Sequence, residues 1–521
     1  MLVSGCQTSL AQSSNNFDII VAGGNVFDGN GSRLGTVDIG IRKGQIASIE
    51  KGLSERSKAG RIIDASGSIV APGFIDPHTH TAGDLISGNP ADRANLAYAH
   101  QGVTTVLVGN DGHGFPQARD GHNFASTGTN FAFLSGFGDI RKQVIGDEDR
   151  PASDDVMARM TDLLKQDFCA GAFGFSTGLY YAPQSFASIE EVTELARTAG
   201  KFGGYYDTHL RDESDFSVGV LSALDEALKI GGDAEVPVHI AHIKTLGPAV
   251  WGLSNEMISR IEAAREAGQR VTADQYPWRA SGTRISSALV PKWALAGGLE
   301  SLRSMLQDPE AALRIKQEIA ANIERRGGAD TLLVTGSLGP QKDLAGQTLA
   351  DLAESRESTP EGVAMQILVS GDARLASFNM STDDIAAFAD QPWVMTGSDG
   401  SDGHPRKYAS YPKVYHDWVR SKRYGIGWFI RRSSGLPADM IGLEDRGYLR
   451  TGMAADIVVF DPAEYAPEAD FEHADRLSRG VIWLFVNGMA VIERGEHNSA
   501  LPGKLLRKSV DTNKGCLDFP R

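Results

Sequence analysis

The chain has 521 residues, of which 41% are hydrophobic and 22% are charged, a composition typical of a globular protein with a large core. Its formal net charge is −15, from 66 acidic and 51 basic residues, and it has no basic run that could bind a polyanion. We therefore expect no nucleic-acid partner. We also expect no transmembrane segment, since no apolar run reaches the roughly 18 residues that a spanning helix needs.

The first 16 residues contain a motif like a bacterial lipobox, LVSGC, which ends at Cys6 and is followed by a polar stretch. The charged and apolar regions that a signal peptide places before such a motif are not found upstream of it. Two interpretations stay open. One is a periplasmic, lipid-anchored protein with a misassigned start, and the other is a chance match in a disordered tail of a cytoplasmic protein.

The chain has three cysteines, Cys6, Cys169 and Cys516. They are too few and too far apart for a disulfide framework or a cysteine-rich zinc site. Any metal is therefore expected to be held by histidine and carboxylate groups.

The two ends of the chain share one pattern. Residues 17–70 are short apolar alternations broken by Gly and Asp, which predict strands joined by tight turns. A similar pattern returns within 445–507, in AADIVVFDP and VIWLFVNGMAVIERG. We predict that both ends together form one small β-sandwich domain.

Between the ends, apolar runs alternate with helical stretches, which is typical of βα units and a parallel sheet. The runs are SIVAPGFID, GVTTVLVG, FAFLSGFG, AFGFST, GGYYDTHL, VPVHIAHI, QRVTADQYP and WVMTGSD. Eight such units predict an α/β fold, a (β/α)8 TIM barrel over residues 71–444 with its active site at the C-terminal strand ends. The long segment between the seventh and eighth runs has a helical pattern, and we predict that it forms an inserted lid at about 288–385.

Histidines stand where several of these runs end. His78 and His80 are two residues apart on an extended segment, so their side chains point the same way and can hold one ion. His209 and His242 end consecutive runs, and adjacent barrel strands would present both to one point. His239, three residues before His242, should face the other way and is interpreted as a packed core histidine.

Two aspartates end further runs. Asp111 follows the second run and is interpreted as a metal ligand, although a GND turn also occurs for purely structural reasons. Asp399 follows the eighth run and is interpreted as a ligand or a proton-transfer group, with a helix N-cap as the structural alternative. The nearby candidates His113, Asp402 and His404 carry less weight.

Four histidines and two aspartates make a nitrogen and oxygen donor set that suits zinc, and also manganese, iron or cobalt. Bound zinc lowers the pKa of its water to about 7 and polarises a carbonyl, so that an amide is attacked at neutral pH. A free carboxylate can take the water's proton and pass it to the leaving nitrogen. The set therefore predicts a metal-dependent hydrolase.

Residues 17–507 resemble the D-aminoacylase branch, the N-acyl-D-amino-acid deacylases, of the amidohydrolase superfamily. The matching phrases occur in order: APGFIDPHTH, GVTTVLVGN, GFGDIR, GAFGFSTGLYYAP, THLRDE, HIAHIK, TADQYPWRASGT, GSDG, HPR and RGYLRTGMAADIVVFDP. The resemblance implies the barrel, the small β domain and the insertion after the seventh strand.

The resemblance also implies roles for individual residues. It implies a catalytic aspartate at Asp399 and metal ligands at His78, His80, His209 and His242. One zinc should be held tightly on the His209 and His242 side, and a second site near His78, His80 and Asp399 should be weaker. The family has a cysteine where this chain has Asp111, a harder ligand that weakens the preference for zinc and favours the bridging of two metals.

For the substrate carboxylate, the resemblance implies Tyr181, Lys244 and Ser281, and Arg211 is a nearby cation of similar promise. Lysine and tyrosine together bind a carboxylate by charge-assisted hydrogen bonds. The expected activity is hydrolysis of N-acyl-D-amino acids, which are small molecules with an amide bond and a carboxylate. The alternatives are an amidohydrolase for dipeptides, cyclic amides, lactones or other amides, and a metal-binding barrel without catalysis. A homo-oligomer is left open.

Overall fold

The computed structural model describes residues 16–509 and Cys516. The lipobox-like segment, and with it Cys6, lies outside the described residues. Among the helices that are described, none combines the length and the apolar character needed to cross a membrane. The chain folds as an α/β protein with mixed sheets.

The strands of the described residues lie in four sheets. In chain order they are β1 Asn16–Phe27, β2 Arg33–Arg42, β3 Gln45–Glu50, β4 Lys58–Asp64, β5 Ile69–Pro72, β6 Phe74–Asp76, β7 Val103–Val108, β8 Asn130–Phe133, β9 Ser135–Gly136, β10 Phe175–Gly178, β11 Tyr206–His209, β12 Val238–Ile240, β13 Val271–Gln275, β14 Ser281–Arg284, β15 Leu332–Ser337, β16 Gln347–Thr348, β17 Ala373–Ser377, β18 Val394–Thr396, β19 Ile457–Phe460, β20 Val481–Val486, β21 Met489–Glu493 and β22 Glu496–His497.

The α-helices are α1 Leu53–Arg56, α2 Ala82–Leu85, α3 Pro90–Arg93, α4 Leu96–Ala99, α5 Pro116–Arg119, α6 Phe137–Ile145, α7 Asp154–Cys169, α8 Ile189–Lys201, α9 Val220–Ala234, α10 Ser254–Glu266, α11 Ile285–Leu289, α12 Gly298–Met305, α13 Pro309–Arg325, α14 Leu349–Ser355, α15 Pro360–Ser370, α16 Thr382–Ala389, α17 Arg406–Val414, α18 Ile426–Ile430 and α19 Leu436–Ile441. Short 3-10 segments lie at Gln184–Phe186, Pro248–Val250, Lys292–Leu295 and Ala329–Thr331, and π-helical segments at Tyr415–Arg420 and Arg431–Gly435.

Both ends of the chain contribute to one nine-stranded sheet, as their shared sequence pattern predicts. Its order is β22-β21-β20-β19-β5-β1-β2-β3, with β4 pairing alongside β1. Strand β5 from the N-terminal part pairs antiparallel with β19 from the C-terminal part, from Ile457 opposite Pro72 to Phe460 opposite Ile69. Both strands are fully buried, so this seam holds the two ends together.

Each of the eight apolar runs contains a strand, and these strands form two parallel sheets. One has the order β6-β7-β8 and the other β18-β13-β12-β11-β10-β9. Only Leu134 separates β8 from β9, and an isolated parallel bridge joins Thr79, beyond β6, to Gly400, beyond β18. The carboxyl ends of all these strands therefore lie near one another.

The helices between these strands are amphipathic, and α8 shows why. Ser188 caps its first turn by accepting a hydrogen bond from the Glu191 backbone N–H. Val192, Ala196 and Ala199 recur at helical spacing and are buried against the core. The buried apolar face of the helix holds it against the parallel strands and so helps to fix the position of the strand ends.

The segment between β13 and β18 has its own hydrophobic core and contains the region in which an inserted lid was predicted. It contains the antiparallel sheet β14-β17-β15-β16 and helices α11 to α15. The first and last strands of this inserted layer along the chain, β14 and β17, pair with each other, with Ser281 opposite Ser377. The layer therefore extends from about 281 to 377, whereas the sequence pattern placed the insertion at about 288–385. The difference arises because the polar, short strand β14 has no apolar run to reveal it.

A disulfide joins Cys169, at the end of α7, to Cys516, which lies 347 residues further along the chain. Their Cα atoms are 5.5 Å apart. The cysteine spacing suggested no disulfide framework, and a single bond is not a framework, but the bond itself could not be foreseen. Distance along the chain does not limit a contact made by the folded molecule.

Candidate metal centre

Three of the predicted site residues lie in turns just beyond their strands. Asp111 follows β7, His242 follows β12 and Asp399 follows β18, with φ angles of 56°, 36° and 48°. Residues other than glycine adopt a positive φ angle rarely and at a cost in free energy. Each turn directs its side chain towards the region where the strands end.

The first group of converging side chains consists of His78, His80, Asp111 and Asp399, whose ligand atoms all lie within 4.8 Å of one another. His80 Nε2 is 3.1 Å from Asp399 Oδ1 and 3.5 Å from Asp111 Oδ2. His78 Nε2 is 3.5 Å from Asp111 Oδ1. Two imidazoles and two carboxylates thus face one point.

The second group consists of Asp111, His209 and His242, again with all ligand atoms within 4.8 Å. His209 Nδ1 and His242 Nε2 are 2.7 Å apart, and both face Asp111 Oδ1, at 3.9 and 3.5 Å. Asp111 belongs to both groups. Its Oδ2 faces His80 and its Oδ1 faces the histidines of the second group and His78.

The electrostatics of the cluster couple its acids to its histidines. Burial would raise the pKa of the Asp111 carboxyl, but His78 and hydrogen bonding from His242 hold it well below its usual range. Burial would lower the pKa of His78, but Asp111 and Asp274 raise it well above its usual range. For His209, burial dominates and lowers the pKa to about 3.

Asp399 is held by partners on both of its oxygens. Arg406 Nη1 lies 2.6 Å from Asp399 Oδ2, while Oδ1 faces His80. Burial would raise the pKa of this carboxyl, but the Arg406 guanidinium and then His242 hold it well below its usual range. Asp399 is therefore ionised at neutral pH and fixed in orientation.

A large cavity of about 910 Å³ opens from this cluster between the strand ends and the inserted layer. Its walls include His80, Asp111, Tyr181 and Asp399 on one side and Lys292 of the inserted layer on the other. A much smaller cavity of about 20 Å³ adjoins it. The small cavity is lined by Tyr180, Tyr181, His209, Glu213, His242, Lys244, Leu246, Tyr276, Ser281, Gly282, Thr283, Arg326 and Asp399.

Three of the four substrate-binding candidates, Tyr181, Lys244 and Ser281, therefore line the small cavity together. The Tyr181 ring centroid is 4.8 Å from that of His209. Lys244 already contacts the Glu213 carboxylate, with Nζ at 2.7 Å from Oε1. The Ser281 hydroxyl donates to Asn379.

The fourth candidate, Arg211, does not reach either cavity. Its guanidinium pairs with Glu226 at 2.7 Å and donates to the backbone carbonyls of Ser185 and Ala187. It also lines neither cavity. The expectation that Arg211 contacts substrate is therefore not supported by its position, because its charge is used inside the fold.

The candidates of lesser weight are divided by the fold. His239 is buried between Thr272 and Asp274 and belongs to neither ligand group, which agrees with its interpretation as a core residue. His113, Asp402 and His404 line the large cavity without joining either group. Burial lowers the pKa of His113 to about 4.

Two residues of the cluster were missed by sequence reasoning, namely Glu213 and Arg406. Glu213 lies four residues after His209, and Arg406 follows closely on Asp399. Glu213 is the last residue of the phrase THLRDE, and Arg406 is the last residue of HPR. The position of a charged residue shortly after a predicted ligand was the sequence signal that could have identified them. Neither spacing says which atoms they contact.

Comparison with known proteins gives matches along almost the whole chain, although no family model matches it. D-aminoacylase of Alcaligenes xylosoxydans xylosoxydans is 31% identical over 529 aligned residues, covering 95% of this chain and 98% of that protein. The match extends over the strand ends, the inserted layer and the nine-stranded sheet alike.

Two solved structures are similar at 30% identity, and each match covers 94% of this chain and 100% of the other. A D-aminoacylase structure that addresses the role of its binuclear metal centre, with activation by one metal and attenuation by the second, has a TM-score of 0.79. A crystal structure of N-acyl-D-glutamate deacylase from Bordetella bronchiseptica, with zinc and a phosphonate mimic of the tetrahedral intermediate, has a TM-score of 0.77.

Proposed function

The chain belongs to the D-aminoacylase family of metal-dependent amidohydrolases, and we propose that it hydrolyses the amide bond of N-acyl-D-amino acids at the cluster around Asp111. Membership confirms the resemblance found in the sequence. The proposal depends on one observation: two groups of metal-binding side chains share Asp111 beside a cavity large enough for an N-acyl amino acid. Asp399 reaches the same point.

The donor set fits zinc. His78 Nε2 and Asp111 Oδ1, which face each other, are buried without a hydrogen-bond partner among the described residues, as expected of atoms that bind an ion. Asp111, His209 and His242 would hold one tight zinc, and His78, His80, Asp111 and Asp399 a second, weaker metal. Zinc there would lower the pKa of a water and polarise the scissile carbonyl.

Asp399 is the proposed proton-transfer residue. It is ionised because Arg406 lowers the pKa of its carboxyl, so it can accept the proton of the attacking water. Its contacts with Arg406 and His80 hold the carboxylate in one orientation. The same carboxyl group then donates the proton to the leaving nitrogen, which departs as the amine of the D-amino acid.

The small cavity is the proposed site of the substrate's α-carboxylate. Tyr181, Lys244 and Ser281 line it, and so does Arg326, a buried guanidinium with no carboxylate within 4.0 Å among the described residues. The Lys244 ammonium is already paired with Glu213. Arg326 donates to the Ala288 backbone carbonyl and to the Ser377 and Tyr180 hydroxyls, and its positive charge, which is not paired with a described carboxylate, attracts an anion.

A second acidic group of a substrate would lie near Arg284 and Lys292 in the large cavity, whose lining also includes Asp139, Asp147, Glu300 and Asp402. Arg284 and Lys292 face this cavity, and neither has a carboxylate within 4.0 Å among the described residues. A relative of the same fold is an N-acyl-D-glutamate deacylase. We include acidic N-acyl-D-amino acids among the preferred substrates for this reason.

The finer architecture is also part of the proposal. Strands β6 to β13 together with β18 would close into one eight-stranded TIM barrel, with β8 and β9 as a single interrupted strand. The parallel pairings and the bridge between Thr79 and Gly400 support closure. The nine-stranded sheet would fold into a β-sandwich, which is supported by a shared apolar core that includes Ile39, Ile41, Trp483 and Phe485.

In domain terms, residues 17–70 and 445–507 would form the small domain and 71–444 the catalytic barrel. The inserted layer from β14 to β17 would act as the lid over the large cavity, which several of its residues line. Its residue Lys292 lines that cavity.

The test is amine release from a panel of N-acetyl and longer N-acyl amino acids by zinc-loaded protein. Each D-amino acid, neutral or acidic, is paired with its L-enantiomer, and L-dipeptides and cyclic amides complete the panel. Asp399→Asn serves as the control and should lose about 10²- to 10⁴-fold in kcat, while the tight zinc on the His209 and His242 side, which Asp399 does not help to hold, stays bound.

The proposal is supported if the wild type hydrolyses the N-acyl-D-amino acids and not their L-enantiomers, and if Asp399→Asn loses this activity. Turnover of only L-dipeptides or cyclic amides would keep the metal centre and reject the substrate. Failure of the wild type to bind zinc and to hydrolyse any compound would reject the function altogether and favour a non-catalytic barrel.

A further inference from the structure

Glu213 lies behind the second ligand group, on the side away from Asp111. Its Oε1 is 3.3 Å from His242 Nδ1 and its Oε2 is 3.6 Å from His209 Nε2. The nitrogens that face Asp111 are the other two, His209 Nδ1 and His242 Nε2. One buried carboxylate therefore faces the far nitrogen of both histidines.

The hydrogen-bonding chemistry of His242 requires an acceptor at this position. A neutral imidazole that binds a metal through Nε2 carries its proton on Nδ1. The closest side-chain atom to Nδ1 is Lys244 Nζ at 2.6 Å, but an ammonium group has no lone pair to accept that proton. Glu213 Oε1 can accept it.

The same reasoning applies to His209 with its nitrogens exchanged. If Nδ1 binds the metal, Nε2 carries the proton, and this buried atom has no hydrogen-bond partner among the described residues. The carboxylate within 4.0 Å of it is Glu213. A small shift of either side chain brings the two atoms into hydrogen-bond distance.

We propose that Glu213 is a positioning residue that accepts a hydrogen bond from both His209 and His242 and so sets the tautomers in which they bind zinc. This inference rests on the proposed metal centre. Carboxylates that orient metal-binding histidines typically change metal affinity by 10- to 100-fold when removed. Here one carboxylate serves two ligands.

A competing role for Glu213 is to balance the charge of Lys244, whose Nζ lies 2.7 Å from Oε1. Both side chains are almost fully buried, so an unpaired Lys244 would be costly. The two roles differ in what happens when both charges are removed together. In Glu213→Gln with Lys244→Met, charge balance is restored, while only one of the two acceptor oxygens for the histidines remains.

The experiment measures zinc affinity by chelator competition at neutral pH, using the full chain. The variants are Glu213→Ala, Glu213→Gln and the double variant Glu213→Gln with Lys244→Met. Glu226→Gln is the matched control, since Glu226 is a partly buried carboxylate that pairs with Arg211 and not with the histidines. Thermal unfolding of each metal-free protein measures folding separately.

We expect Glu213→Ala to weaken zinc binding about 10- to 100-fold and Glu213→Gln to weaken it less, because a glutamine can still accept one hydrogen bond. The double variant should stay as weak as Glu213→Gln, and Glu226→Gln should bind as the wild type does. If Glu213→Ala does not fold, Glu213→Gln and the double variant decide the question.

Wild-type zinc affinity in both Glu213 single variants would overturn the inference, and so would recovery of that affinity in the double variant. A wild-type protein that binds no zinc would overturn the proposed function together with this inference. A wild type that binds zinc but hydrolyses no amide would reject the function while leaving the zinc measurement on Glu213 valid.

Discussion

Asp111 is the residue that belongs to both ligand groups of the proposed metal centre. Its two oxygens are divided, with Oδ2 towards His80 and Oδ1 towards His242. A carboxylate can bridge two ions through separate oxygens, whereas a thiolate offers one sulfur atom to both. With an aspartate at this position, each of the two groups can receive its own carboxylate oxygen, whereas with a cysteine both would share one sulfur atom.

The replacement Asp111→Cys should shift metal preference towards zinc, because thiolate is a softer ligand than carboxylate. Protein equilibrated with equimolar zinc and manganese should show a higher bound ratio of zinc to manganese in the variant, as measured by elemental analysis. Asp402→Cys, at a cavity residue outside both groups, is the control. An unchanged ratio in Asp111→Cys would show that Asp111 does not bind the metal.

Lys292 gives the cavity a pH-dependent charge. Burial and then Arg326 lower the pKa of Lys292 to about 7, and Asp212 opposes them. Below that pH the ammonium is charged and attracts an acidic substrate, and as the pH rises through about 7 the charge is lost. The KM for an acidic N-acyl-D-amino acid should therefore rise severalfold between pH 6 and 8.

The measurement is a KM-against-pH profile for an acidic substrate and for a neutral one, on wild type and Lys292→Met. The neutral substrate should show no such rise, and the variant should have a raised, flat KM for the acidic substrate. Parallel profiles for both substrates in the wild type would contradict a role for Lys292.

At the scale of single elements, helix α7 is connected to the end of the chain. Cys169 at its end is bonded to Cys516, and residues 506–508 lie against β8 and the end of α7. Leu506 N–H donates to Phe131 C=O, and Lys508 N–H donates to Gly171 C=O. The disulfide and these two backbone hydrogen bonds therefore attach the C-terminal segment to the same part of the fold.

Loss of this disulfide should lower the free energy of unfolding by about 2–4 kcal/mol, because the unfolded chain gains freedom when the long loop opens. Chemical denaturation of Cys169→Ser, Cys516→Ser and the double variant measures it, with the wild type in reductant for comparison. The double variant should be no less stable than either single one. Equal stability of the oxidised and reduced wild type would refute the prediction.

At the scale of the whole molecule, Asp456 connects the nine-stranded sheet to the parallel sheet. Its carboxylate accepts hydrogen bonds from Asn130 at the start of β8 and from the Asn487 backbone N–H, and it pairs with Arg446. All of these contacts are buried or partly buried. This polar network therefore contributes to the relative placement of the two sheets, together with the apolar core that they share.

Asp456→Ala should destabilise the protein by about 3–5 kcal/mol, since it removes one partner of a buried ion pair and leaves buried donors unsatisfied. Arg479→Ala is the matched control, because its pairs with Glu464 and Glu468 are exposed and should contribute less than about 1 kcal/mol. Denaturant unfolding compares the two. Similar losses in both variants would show that the Asp456 network does not join the sheets.

The sequence alone determined the alternation of strands and helices and the chemistry at the strand ends. Apolar periodicity is a local property, so it predicted the strand in each of the eight runs and the meeting of the two chain ends. His78, His80, His209 and His242 could be proposed because a strand's end and its side-chain alternation can be read from neighbouring residues. The family was also recognisable from ordered local phrases.

The tertiary structure alone decided which side chains meet across long separations. The contacts of Asp399 with Arg406, of Glu213 with both histidines and of Cys169 with Cys516 depend on how loops turn after their strands. It also directed Arg211 to Glu226 and away from the cavities. Sequence spacing carries no information on such distances, because the direction of a loop is set by the packing of the whole molecule.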